Sequence, residues 1–299
     1  MYYDKLDEYL SVPMKLRRGK QKEVPVGSYT IEFRNVSFRY PGSEKYALKD
    51  INLTIHNEQK LSIVGENGAG KTTFVKLLTR LYDPTEGDIF LNGININMSI
   101  FSTVFQDYKL FSFSLKDNVA LALPMDEAKV QKVLRYVGFE EKLQKLPKGI
   151  ETAIYKNFDE SGFEPSGGEG QKIALARALY KGAPVVILDE PTAALDPRAE
   201  YEIYQQFNDM VKGKTAVYIS HRLSSTKFCD VIAVFDGGRI VEYGSHEELM
   251  KRGGIYSELF NMQAQFYTGS VECKDDVRVS FTTSARRRCG ETAPYHIDR

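Results

Sequence analysis

The stretch Leu61 to Thr73, LSIVGENGAGKTT, constrains this chain more than any other. An apolar run, Leu61-Ser62-Ile63-Val64, stops at a glycine-rich turn, and Phe74-Val75-Lys76-Leu77-Leu78 resumes with the apolar spacing of a helix. Gly65, Gly70, Lys71 and Thr72 fit the pattern G-x-x-x-x-G-K-[ST]. The glycines let the backbone curl so that successive N–H groups point inward at phosphate oxygens, and the helix that follows adds the positive end of its dipole. A lysine at position 71 can reach the β- and γ-phosphates, and the Thr72 hydroxyl can ligate Mg²⁺. A ligand-free strand-to-helix turn would need only the glycines. The complete pattern predicts a nucleotide-phosphate site.

The balance of the chain bounds its class. Forty Lys and Arg against forty Asp and Glu give a formal net charge of zero, which argues against a large nonspecific nucleic-acid footprint. Cys229, Cys273 and Cys289 have no metal-ligand spacing, and so sparse a set reads as reduced thiols in a cytosolic compartment. No run approaches the ~20 apolar residues that span a bilayer, and the N-terminus is too charged for a signal peptide. The expectation is a chain that does not itself cross a membrane.

Residues 1–27 read as a linker: a short amphipathic helix that Pro13 would end, then a basic stretch from Lys15 to Lys22. From Tyr29 the pattern is strand-like, through Ile31, Phe33, Val36 and Phe38, and again over Asp50 to Ile55. Ile89-Phe90-Leu91 runs into an Asn92-Gly93 turn, and Ser102 to Phe105 is a short strand that delivers Gln106 and Asp107. Residues of about 108–180 are mostly helical in period and read as an insertion in an α/β domain. Val231 to Phe235 and Arg239 to Tyr243 make a hairpin, and Ser245 opens a helix with a capping box. Residues 268–299 lack periodicity and read as a disordered tail.

Three further stretches carry chemistry. Ser166-Gly167-Gly168 leads directly into a helix, a second anion-type N-terminus. The most apolar strand, Val185 to Leu188, ends in Asp189-Glu190, and adjacent acids there are costly unless they serve a metal or a reaction. Asp189 can hold Mg²⁺ opposite Thr72, and Glu190 can orient or deprotonate an attacking water; acids capping the next turn are the structural alternative. His221 follows another strand. Alone it would read as a structural histidine, and its place beside the other polar strand ends favours a functional one.

Taken together, these motifs resemble the nucleotide-binding domain of an ABC transporter over about Tyr29 to Phe266. Tyr40 matches the A-loop aromatic, which in that family stacks on adenine. Gly65, Glu66, Asn67, Gly68, Ala69, Gly70, Lys71, Thr72 and Thr73 match Walker A, and Gln106 matches the Q-loop glutamine. Ser166, Gly167 and Gly168 match the heart of the signature motif, Asp189 closes Walker B, and Glu190 takes the catalytic glutamate position. Ala194-Leu195-Asp196 is the D-loop and His221 the H-loop histidine.

The resemblance implies an α/β fold: a P-loop NTPase (RecA-like) core, an N-terminal antiparallel β subdomain and a helical subdomain at about 108–180, within a domain of residues 28–267. It implies ATP and Mg²⁺, a second nucleotide-binding domain (homo- or heterodimer) closing head to tail, and a transmembrane permease domain or subunit at the cytoplasmic face of the cell membrane. Catalysis would fall to Glu190, His221 and Gln106, with Thr72, Gln106 and Asp189 at the metal. The context of Ser220 to Ser224 and of Glu242 to Leu249 is exporter-like.

Two departures stand out. The signature has Pro165 and Glu169 where the family usually has Leu and Gln; the resemblance puts this negative charge near a partner's nucleotide, where it would weaken closure or be tolerated if the side chain points away. The usual exporter loop ahead of it is replaced by Asp159-Glu160-Ser161-Gly162. Two other readings stay open: an ATP-dependent clamp or regulatory protein without transport, and a degenerate cassette paired with an active one. Intact Glu190 and His221 speak against the second.

Overall fold

The computed structural model describes residues 27–95, 100–189, 205, 207–209, 211–219 and 223–268. The linker expected before residue 27, the tail after 268, and Glu190, the D-loop and His221 lie outside the described residues.

Two sheets share one core. The first is antiparallel, with strand order β2-β1-β4-β5: β1 is Thr30–Phe38, β2 Leu48–His56, β4 Glu86–Leu91 and β5 Ile94–Asn95. Alternate residues of β1 and β2 face inward, so Ile31, Phe33, Ile51, Leu53 and Ile55 are buried while their neighbours meet solvent.

The second sheet runs β10-β9-β3-β8-β7-β6. Strands β3 (Lys60–Gly65), β6 (Phe101–Val104), β7 (Val185–Asp189), β8 (Thr215–Ile219) and β9 (Val231–Asp236) are parallel, and β10 (Arg239–Gly244) closes an edge antiparallel to β9. Burial on both faces explains their near-continuous apolar sequences. Val185 and Ile187 pack toward helix α1 (Lys71–Leu78) and the antiparallel sheet, where Phe33 stacks on Phe74 with ring centroids 4.5 Å apart. Val186 and Leu188 point the other way, into the core of the helical insertion.

That insertion comprises α2 (Leu115–Ala120), α3 (Glu127–Tyr136), α4 (Glu140–Lys145) and the long α5 (Gly167–Lys181). Val130 and Leu134 supply the apolar stripe of α3, and they pack with Ile173 and Leu175 of α5. A third cluster seats α6 (His246–Arg252) and α7 (Ile255–Thr268) on Val64, Ile232 and Val234. No described helix is long and apolar enough to cross a membrane.

Parallel strands deliver their C-terminal residues to one edge of a sheet. Ile219 pairs with Ile63 on one side and with Asp189 on the other, and Val104 pairs with Leu188. The strand ends that carry Gly65, Gln106 and Asp189 therefore share one edge, and α1 lies against both β3 and β7.

Candidate functional site

The loop after β3 is shaped by glycines that nothing else could replace. Gly65 has φ +148°, and a Cβ there would lie 2.2 Å from the Phe235 carbonyl oxygen. Gly70, with φ +106°, caps α1, and its Cβ would lie 2.7 Å from Leu48 and 2.9 Å from the Ala47 carbonyl oxygen. Both positions demand glycine for conformation and for space. The loop is further held by the Ala69 N–H donating to Glu66 at 3.2 Å and the Gly238 N–H donating to Ala69 at 3.2 Å.

Lys71, only 5% exposed, folds back into this curl: its ammonium donates to the carbonyl oxygens of Gly65 at 2.8 Å and Glu66 at 2.9 Å. Thr72, beside it, is exposed, as are Glu66, Asn67 and Gly68, whereas Ala69 and Thr73 are buried. Tyr40 stands at the flank. Its hydroxyl is 3.1 Å from that of Thr73, and its ring meets Phe38 and Tyr82 edge-on, with the Lys76 ammonium 5.7 Å from its centre. The sequence-assigned aromatic is thus tied to the first turn of α1.

Asp189 is 2% exposed at the end of β7, and Gln106 is exposed two residues past β6. Among the described residues no three His, Cys, Asp or Glu side chains cluster to cage a metal. Thr72, Asp189 and Gln106 carry a hydroxyl, a carboxylate and an amide oxygen, donor types compatible with Mg²⁺, which keeps waters and takes one or two carboxylates plus substrate phosphates. The inward-curling loop, its lysine and the hydroxyl at the start of α1 fit a bound nucleoside polyphosphate.

The second loop is built differently. Ser166 is the N-cap of α5, and Ser166 and Glu169 form a reciprocal capping box: the Glu169 N–H donates to the Ser166 hydroxyl at 3.3 Å, and the Ser166 N–H to the Glu169 carboxylate at 2.8 Å. Lys142 of α4 adds an ion pair at 3.0 Å. Burial pushes the Glu169 carboxyl up, but the Ser166 N–H and the Lys142 ammonium outweigh it and hold the group below its ordinary range. The unexpected negative charge of the signature is therefore spent on its own helix. The sequence signal was present: Ser-x-x-Glu is the capping-box spacing. Ser166 and Gly167 remain exposed, and Gly167 and Gly168 lie in the first turn, whose N–H groups no helix carbonyl can satisfy.

The departing loop ahead of the signature is a tight turn. Asp159 accepts the Ser161 N–H at 2.9 Å and its hydroxyl at 2.6 Å, and Lys148 donates to its other oxygen at 2.7 Å. Lys148, with help from Ser161, lowers this carboxyl to about 2. Sequence reasoning also missed Tyr108, whose hydroxyl donates to the Gly167 carbonyl at 3.0 Å. Nothing in its spacing announces that contact. Between β6 and the helical insertion lies a groove of about 680 Å³, lined by Phe101, Phe105, Leu121, Arg177 and Tyr180 among others.

Comparison with known proteins agrees with this geometry. The family model described as "ABC transporter" matches residues 48–193. The subtilin transport ATP-binding protein SpaT of Bacillus subtilis is 39% identical over 270 residues, covering 87% of this chain and 44% of that protein. An ATP-dependent lipid A-core flippase of Alkalilimnicola ehrlichii is 40% identical over 265 residues, covering 86% and 44%. A solved bacterial Atm1-family ABC exporter with ATP bound superposes with a TM-score of 0.79 at 30% identity, covering 88% of this chain and 47% of that one. The chain thus spans less than half the length of these relatives.

Proposed function

The chain carries an ABC transporter ATP-binding domain with exporter relatives, and from that premise we propose that it binds and hydrolyses ATP to power export by a membrane-spanning partner. The observation that carries this reading is the curl at the end of β3, where Gly65 and Gly70 admit no side chain and the Lys71 ammonium sits on the loop's own carbonyls. A triphosphate would draw that ammonium from neutral carbonyl oxygens to charged phosphate oxygens, a stronger charge-assisted contact. The exposed loop N–H groups and the start of α1 would hold the phosphates, and Tyr40 would place the adenine.

Thr72, Asp189 and Gln106 would hold Mg²⁺, which supplies charge neutralisation at the phosphate oxygens. Glu190 would take a proton from the attacking water, and His221 would donate to the γ-phosphate; phosphoryl transfer of this kind depends on positioning and charge stabilisation. The missing wall of the site would come from Ser166, Gly167 and Gly168 of a second nucleotide-binding domain, closing head to tail. Support comes from the exposed, rigidly capped signature turn, which sits on the core of the helical insertion, whereas the phosphate loop belongs to the core beneath the antiparallel sheet.

The relatives' additional length leaves room for a transmembrane domain, which in this protein is a partner subunit or another part of the same polypeptide. The groove between β6 and α5, with Arg177 and Lys181 among its lining, would offer it a largely apolar seat. The domain would then work at the cytoplasmic face of the membrane. The test is ATP turnover by the purified chain with Lys71→Ala as control. Turnover that the substitution abolishes, together with ATP binding, supports the reading. Equal turnover by both would sink it.

A further inference from the structure

Tyr108 stands where two halves of the chemistry meet. It follows Gln106 by two residues in the turn after β6, and its hydroxyl donates to the carbonyl of Gly167 in the signature. The ring packs on the core of the helical insertion, and it lies in a notch that exists because residue 170 is glycine. A Cβ on Gly170 would come within 2.7 Å of the Tyr108 hydroxyl oxygen and 3.2 Å of its ring. Burial raises the phenol's pKa, so the group stays a donor across the physiological range. About two turns further along the same helix, the Arg177 guanidinium donates to the Lys109 carbonyl at 3.1 Å and to the Asn118 carbonyl at 2.8 Å. The segment that follows β6 is thus fastened to α5 at the adjacent residues Tyr108 and Lys109.

We infer that Tyr108 is a positioning residue that couples the Gln106 segment of one ATP site to the Ser166–Gly168 turn offered to the other. This rests on the proposed head-to-tail site. In such a pair Gln106 serves the nucleotide of its own subunit, whereas the signature turn of the same subunit faces the partner's nucleotide. A movement of Gln106 on binding is carried by one hydroxyl to the Gly167 carbonyl, and the arrival of nucleotide at one site presets the wall of the second. The Gly170 notch and the Tyr108 ring form a unit: enlarging the first displaces the second.

The experiment compares the full chain with Tyr108→Phe, Gly170→Ala and the double variant, reading ATP turnover and ATP-induced hydrogen-exchange protection of residues 166–172. Losing one net hydrogen bond corresponds to about a fivefold change. Tyr108→Phe, which keeps the ring, is expected to lower kcat about fivefold, to leave KM within about twofold, and to abolish the ATP-induced protection. Gly170→Ala should reproduce this, and the double variant should be no worse than either single one, because both break the same contact. Wild-type kcat and wild-type protection in Tyr108→Phe would overturn the inference, as would additive losses in the double variant or absence of ATP-induced protection in the unmodified chain. If the unmodified chain binds ATP without turning it over, the hydrolytic reading fails separately. Exchange then decides the coupling alone: protection lost in Tyr108→Phe upholds it, and protection retained overturns it.

Discussion

Glu169 turns back on Ser166, accepting its N–H at 2.8 Å while the Ser166 hydroxyl accepts the Glu169 N–H at 3.3 Å. The carboxylate is thereby engaged with its own backbone and with Lys142, 3.0 Å away.

Glu169→Ala is therefore expected to cost about 1 kcal/mol of stability, measured by urea unfolding, and Glu169→Gln, which can still accept the Ser166 N–H, distinctly less. Because the carboxyl is held below its ordinary value, its contribution is fully present above the unfolded pKa and is lost as pH falls through the folded one. The gap between wild type and Glu169→Gln should close in acid. A gap that widens as pH falls would contradict this account of Glu169.

Asp159 offers a local check of the turn that precedes the signature. Its carboxyl should titrate by NMR near 2, and Lys148→Ala should move the midpoint up toward the ordinary 3.8. The ionised form is favoured by folding, so any stability it confers is present above the unfolded pKa and fades as pH drops from there through about 2. A wild-type midpoint at the ordinary value would mean that the turn is not held as described.

Gly65 and Gly68 separate space from conformation. An alanine at 65 meets a backbone carbonyl 2.2 Å away, whereas at 68 nothing lies within 4 Å and only the positive φ of +84° opposes it. Gly65→Ala is expected to lose roughly 3 kcal/mol or more, or to fail to fold, and Gly68→Ala about 1–2 kcal/mol. Chemical denaturation of both variants checks the order. Equal losses would show that the close approach of β9 to the loop is unimportant.

Much of this was legible in the residues. The Leu61–Thr73 loop, the Asp189 strand end and the Ser166 helix start are local patterns, and local backbone chemistry dictates them whatever the rest of the chain does. The two-sided burial of β7 was legible for the same reason: Val185 to Leu188 has no polar face to show water. Strand order was not legible, since pairing β3 between β8 and β9 is decided by packing over long sequence separations. Tyr108 escaped notice because its partner, the Gly167 carbonyl, is backbone and leaves no mark in the sequence. For Glu169 the charge was legible and its direction was left open; the contact with Ser166 decides for the side chain turned back on its own helix, and the Ser-x-x-Glu spacing already described that cap.

The central claim is that one chain holds only half of each ATP site. The most direct measurement is the light-scattering mass of Glu190→Gln with and without ATP–Mg²⁺. Removing the proposed base while keeping the phosphate loop should stall the closed state, so the account predicts a monomer alone and a mass that doubles when ATP–Mg²⁺ is added. A Glu190→Gln chain that binds ATP at saturation yet keeps its monomer mass would contradict it.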